Sequence, residues 1–107
     1  MLNDDIRNRI VRILIPYKPD KIILFGSYGY GEPDSGSDID ILVIKDIPED
    51  EVRNFRLKIK RILWEEFYSQ DIYFDVVVDS EMRVLNRIEL GDLFYQEIYT
   101  KGKIIYA

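Results

Sequence analysis

Two short apolar runs and the turn between them constrain this chain more than any other feature. The first, Ile22 to Phe25, breaks at Gly26-Ser27; the second, Ile39 to Ile44, has Asp40 inside it and Asp38 just ahead of it. Continuous apolar runs of this length, bounded by turn residues, read as strands buried on both faces. Residues two apart on a strand share a face. Asp38 and Asp40 therefore project together, with Cα atoms about 6.6 Å apart, while Ile39 and Ile41 point the other way. A carboxylate set among apolar strands is expensive to desolvate alone. Gly26 lets the backbone approach an anion closely, and Ser27 adds a hydroxyl and an amide donor. If a helical turn begins near Tyr28, its free N–H groups face the same anion. Strand, phosphate-sized turn, then two acids on the next strand is the order expected of a site for a metal-bound nucleotide.

The flanking sequence supplies the rest of an α/β pattern. Leu2, Ile6, Ile10, Ile13 and Leu14 recur at helical steps, predicting a helix over 3–15 capped by Asn3 or Asp4 and closed by Pro16 and Pro19. Lys21 to Phe25 and Asp38 to Lys45 are the two strands already described. Asp46 and Glu49 have the spacing of a capping box, with Pro48 in the first turn. The helix that follows runs to about Tyr68, with Val52, Phe55, Ile59, Ile62, Leu63 and Phe67 on its buried face. Ile72 to Val78 is a third apolar run, interrupted by Asp75. Ser80 caps a helix to about Ile88. Gly91 or Asp92 starts another, with Leu93, Phe94 and Ile98 inward and Gly102 as its stop. Lys103 to Tyr106 closes as a short strand. The fold class is α/β: a small mixed sheet of three to four strands flanked by helices, expected to form one domain over residues 1–107.

Composition narrows the chemistry. The chain has neither cysteine nor histidine, which excludes disulfides, thiol nucleophiles, Cys-based zinc sites and the commonest general base. What remains is carboxylates, hydroxyls, lysines, backbone amides and hard, oxygen-bound cations such as Mg²⁺. The net charge of −5 argues against nonspecific nucleic-acid binding. No apolar run reaches the roughly 20 residues of a membrane span, and the first residues lack the pattern of a signal peptide. A cytoplasmic protein without membrane contact is expected.

Asp75 is the natural third carboxylate, on a strand beside the Asp38–Asp40 strand. Its alternative is an ordinary ion pair, with Arg83 or Arg87 as partner. Other motifs fail. Gly26 and Gly31 have Walker A spacing, but Glu32-Pro33 stand where Lys-Ser/Thr should follow. An EF-hand starting at Asp38 needs glycine where Val43 stands.

Gly26-Ser27, three residues, Gly31, six residues and Asp38-Ile39-Asp40 together resemble the signature of the minimal nucleotidyltransferase family, part of the DNA polymerase beta-like nucleotidyltransferase superfamily. The resemblance runs through nearly the whole element order. It implies the nucleotidyltransferase fold, with Asp38, Asp40 and Asp75 as a catalytic triad holding two Mg²⁺ ions and Asp75 helping to deprotonate the acceptor hydroxyl. It also implies nucleotide contacts from Gly26, Ser27 and Ser37, and ATP as substrate. Family members often carry Ala-Arg where this chain has Gly29-Tyr30; Lys45 or an arginine of a partner is the candidate replacement for that cation.

Members of that family resemble antitoxins paired with HEPN-domain ribonuclease toxins, and some adenylylate a tyrosine of the toxin. The resemblance thus implies a protein adenylyltransferase antitoxin whose partners are a nucleoside triphosphate, a HEPN toxin and, optionally, a second copy of the chain. The alternative is an antitoxin that neutralises by binding alone. Transfer to a small molecule or an RNA end is disfavoured, since the chain leaves no room for an acceptor lobe and is acidic. Trp64, Phe67, Tyr68, Phe94, Tyr95 and Tyr99 are candidates either for a partner surface or, at helical spacing, for the core.

Overall fold

The structure is a computed structural model that describes residues 2–34 and 36–107. Its sheet has four strands: β1 (Lys21–Phe25), β2 (Ile39–Ile44), β3 (Phe74–Asp79) and β4 (Lys103–Tyr106), in the order β3-β2-β1-β4. β1 pairs antiparallel with both β2 and β4, whereas β2 and β3 run parallel. A parallel pair needs a crossover. That crossover is the long helix α3 (Glu49–Phe67), which lies on the same sheet face as α1 (Asp4–Leu14). The other helices are the short α2 (Gly26–Tyr30), α4 (Glu81–Glu89) and α5 (Leu93–Lys101), with 3₁₀ turns at Ile15–Tyr17 and Tyr68–Gln70. The mixed sheet flanked by helices is the expected architecture.

Strand alternation sorts the core into two layers. Ile22, Leu24, Ile39, Ile41, Val43, Val76 and Val78 face α1 and α3, where Ile10, Leu14, Ile59, Leu63 and Phe67 are fully buried. Ile23, Phe25, Leu42 and Ile44 face the other way and pack with Val84 of α4 and Tyr95 and Ile98 of α5. Burying such side chains contributes about 1.5–3 kcal/mol each. The first layer runs the full length of the sheet. The second, built from two nine-residue helices, includes none of the residues at the N-terminal ends of β2 and β3.

Local signals mostly hold. Asn3 caps α1 through the Ile6 amide, Ser80 caps α4 through the Arg83 amide, and Asp92 caps α5 through the Tyr95 amide. Two expectations are corrected. The capping box does not form: α3 starts at Glu49 with Pro48 as its N-cap and no side-chain cap, while the Asp46 amide donates to Asp20 Oδ2. Leu93 does not point inward; it is 77% exposed, and Phe94 half exposed, because α5 turns Tyr95 and Ile98 to the sheet instead. Of the six aromatic candidates, Phe67 and Tyr95 are core, whereas Trp64 of α3 and Tyr68 of the 3₁₀ turn after it are exposed and stack at 4.8 Å.

Candidate active site

The parallel register places Asp40 directly beside Asp75, and the antiparallel register places Phe25 directly opposite Asp40. Directly paired residues share a face. From the β3 edge inward, the surface therefore reads Asp75, Asp40, Phe25; Asp38 lies two residues ahead of Asp40, just before β2 begins rather than on it, near enough for its charge to bear on Asp40. This surface is the α4–α5 face, at the end where α5 covers Phe25 but leaves the β2 and β3 aspartates outside the packed layer. Asp38 and Asp75 are accordingly exposed and Asp40 is half-buried. Phe94 meets the ring of Phe25 edge-on at 5.6 Å, which forms an aromatic wall on the β1 side.

Gly26 joins this row from the turn. Its φ is +65°, a conformation glycine reaches without strain. A Cβ placed there would collide with Oδ2 of Asp40, so the turn backbone lies directly against the carboxylate. Gly29 has the same tightness for another reason: a Cβ there would fall 2.6 Å from the Leu24 carbonyl oxygen. An alanine at this place does not fit this backbone without a shift. The expected helical turn is α2, which opens at Gly26 itself with no side-chain cap and returns the Gly31 amide to the Gly26 and Ser27 carbonyls.

The electrostatics mark this end as uncompensated. The Asp40 carboxyl titrates above its ordinary range, first because burial disfavours its charge, then because Asp75 and Asp38 are negative beside it. None of the ion pairs among the described residues involves the three aspartates. The ordinary partners proposed for Asp75 are engaged elsewhere, Arg83 with Asp79 at 2.6 Å and Arg87 with Asp92 at 2.9 Å. Lys45 is also remote from the turn: it sits just past the far end of β2, donating to the Lys18 carbonyl at 3.0 Å above the Phe55 ring. Tyr30 is an exposed aromatic. Ser37 is absorbed by its own loop, where its hydroxyl accepts from the Asp34 amide at 3.0 Å and donates to Asp34 Oδ1 at 3.2 Å.

An oxygen-only set of three acids, without a cationic partner and with one pKa raised by burial and by its acidic neighbours, fits a hard divalent cation. The set is open: among the described residues no three acidic groups are drawn together as a ready-made metal cage.

Sequence reasoning missed the second acid that β3 places on this face. Asp79 follows Asp75 and Val77 at steps of two and so shares their side of the sheet. Its carboxylate accepts from Arg83 Nε, from the Tyr95 hydroxyl at 2.9 Å and from the Ser80 amide at 2.9 Å. Arg83 also reaches the Ile47 carbonyl at 2.7 Å. The period-two rule contained that placement. The partners, which come from helices later in the chain, had no local signal.

The model of the "Nucleotidyltransferase domain" family matches residues 6–105. A protein of Methanocaldococcus jannaschii named "Putative protein adenylyltransferase" is 30% identical over 86 residues, 80% of this chain and 77% of that one. Two solved structures share the fold. A toxin–antitoxin with AMP-PNP superposes with a TM-score of 0.64 at 26% identity, covering 94% of this chain and 73% of its own. A mutant of the toxin–antitoxin MntA–HpeT, with Asp-to-Glu changes at two positions separated by a single intervening residue, has a TM-score of 0.63 at 25% identity, covering 99% of this chain and 74% of its own.

Proposed function

This chain belongs to the nucleotidyltransferase domain family, and on that basis we propose that it transfers AMP from ATP to a hydroxyl of a protein, a tyrosine of a HEPN-domain toxin. The observation that carries the proposal is the open end of the sheet, where three carboxylates without a partner cation stand against a glycine turn. The AMP-PNP in one structural relative and the Asp-x-Asp spacing changed in the other support a nucleotide at a pair like Asp38–Asp40. The toxin–antitoxin assemblies of those relatives support a protein as acceptor.

In this mechanism Asp38, Asp40 and Asp75 hold two Mg²⁺ ions, which when bound supply charge neutralisation for the phosphates. Gly26 and Ser27 seat the triphosphate through backbone amides and the Ser27 hydroxyl. Asp75, on the exposed edge strand, faces the acceptor and helps remove its hydroxyl proton. The acceptor oxygen bonds to the α-phosphorus, the bond from that phosphorus to the bridging oxygen breaks, and pyrophosphate leaves. No histidine or cysteine is required. The chemistry suits a cytoplasmic protein, where ATP and Mg²⁺ are abundant.

The test is to incubate the chain with ATP, Mg²⁺ and the toxin encoded beside it and to weigh the toxin by mass spectrometry. The expected result is one or more added AMP masses, with Asp40→Asn lowering the rate by about 10³-fold or more. An unmodified toxin after exhaustive incubation would overturn the transferase reading. Tyr30, in place of the arginine frequent in relatives, favours a second reading in which the chain neutralises by binding. Full neutralisation by Asp40→Asn would establish it.

A further inference from the structure

Opposite the acidic end, beyond the C-terminal end of β3, the structure holds a second concavity of about 540 Å³. α3 approaches it from one sheet face and α4 from the other. Each helix presents one stripe at helical spacing. On α3 the stripe is Glu49, Val52, Arg53 and Arg56; on α4 and the residue after it, Arg83, Asn86, Arg87 and Leu90. Two facing helices normally bury apolar stripes between them. Here the walls carry four arginines, in a chain whose net charge is −5.

We infer that this cleft binds a phosphate-bearing ligand of nucleotide size, at a site separate from the aspartate triad. Arginine offers five donors in a planar fork that matches phosphate oxygens two at a time. Two of the four forks are already oriented. Arg83 spends Nε on Asp79 and one Nη2 hydrogen on the Ile47 carbonyl, which leaves three donors. Arg87 is held through Nε by Asp92 and leans over the Tyr95 ring at 5.9 Å. Arg53 and Arg56 are in no ion pair among the described residues, although Glu49 lies on their stripe. Glu49 and Asp79 on the walls and Asp92 paired with Arg87 leave the four arginines a small net positive charge, with Arg53 and Arg56 carrying the unpaired part of it. Val52 and the exposed Leu90 provide an apolar lip for a base or other planar group, and the volume lies within the roughly 300–1,000 Å³ of small-molecule sites. Concavity and size favour this ligand over a flat protein contact.

The experiment exploits the difference between the two ends. In EDTA the three aspartates repel a polyphosphate and cannot hold it through a cation, so binding that persists belongs elsewhere. The melting temperature of the full chain is measured in EDTA with tripolyphosphate, with ADP and with adenosine. Tripolyphosphate and ADP are expected to raise it, adenosine not. Titration calorimetry should show the affinity falling about tenfold or more in Arg53→Glu/Arg56→Glu, while Asp40→Asn binds as the native chain does. Both arginines lie on the α3 surface, and the milder Arg53→Gln/Arg56→Gln serves if the reversal alters the ligand-free melting temperature. A rise with ADP alone identifies a nucleotide; a rise with tripolyphosphate as well identifies the phosphate chain as sufficient. No rise with either anion, or a rise that survives the arginine substitutions, overturns the site. A double variant that instead loses its protein partner while polyphosphate never binds would make the cleft a docking surface.

Discussion

Asp75 and Asp79 stand on the same face of the same strand, four residues apart, and the protein treats them in opposite ways. Asp79 is 15% exposed and satisfied on every side by Arg83, the Tyr95 hydroxyl and the Ser80 amide. Asp75 is exposed, in no ion pair among the described residues, and adds its charge to that of Asp40. The difference lies in the covering layer. α4 and α5 extend over one end of the face and bring a cation and a hydroxyl to the acid there; at the other end α5 covers Phe25 on β1 but brings no partner to Asp40 or Asp75, and Asp38 crowds in. A buried, bonded carboxylate serves stability. An exposed set of repelling carboxylates opposes folding and persists for what it can bind.

The sharpest way to break the contrast is Asp79→Ala. It leaves the Arg83 guanidinium and the Tyr95 hydroxyl half-buried without their acceptor, so stability should fall by about 2–3 kcal/mol in chemical denaturation. The Asp38–Asp40–Asp75 end should keep the nucleotide response proposed for it in the fraction that folds. Loss below about 0.5 kcal/mol would make Asp79 an ordinary surface acid. Gly26→Ala tests the other end at smaller cost. The left-handed backbone and the collision with Asp40 should lower stability by about 1–2 kcal/mol and weaken nucleotide binding as well, because the carboxylate must move. A variant with native nucleotide affinity would uncouple turn from acid.

Smallest in size, but opposite in sign, is the effect of Asp40→Asn on the metal-free protein. Asp40 has a native pKa raised above its ordinary 3.8. The folded chain therefore holds this proton more tightly than the unfolded chain does. That contribution to stability is present below the ordinary value and is lost as pH rises through the native pKa. Above that range Asp40→Asn should be as stable as the native chain or more so, and the advantage should shrink in acid. Denaturant melts in EDTA across pH 3 to 7 measure this. A variant less stable than native at neutral pH would show Asp40 to be structural, like Asp79.

Much of this was legible in the residues. The apolar runs at Ile22 and Ile39, the helical spacing from Asp4 and Glu49, and the caps at Asn3, Ser80 and Asp92 are local signals, and local energetics decided them. The aspartates were legible as a set because strand periodicity fixes a face. Long-range partners were not. The Asp46 amide found Asp20 rather than Glu49, since the end of β2 brings the two segments together. Tyr95 displaced Leu93 from the core because Asp79 offers its hydroxyl an acceptor, which lets a larger ring be buried without an orphaned polar atom. Nor could the sequence show that Lys45 lies at the wrong end of its strand to replace an arginine near Tyr30.

The contact between the Gly26 backbone and the Asp40 carboxylate also has a thermodynamic side. On the proposed function, a phosphate seated on the turn and a cation seated on the acid would meet across a single van der Waals boundary, so neither would bind without altering the other's surroundings. Such coupling is reciprocal: whatever factor the cation contributes to nucleotide affinity, the nucleotide returns to cation affinity. At low free cation the nucleotide would then recruit the metal, and at low nucleotide the metal would poise the turn. On that reading the concentration of either ligand would set the threshold for the other, and residue 26 is where it would be tuned.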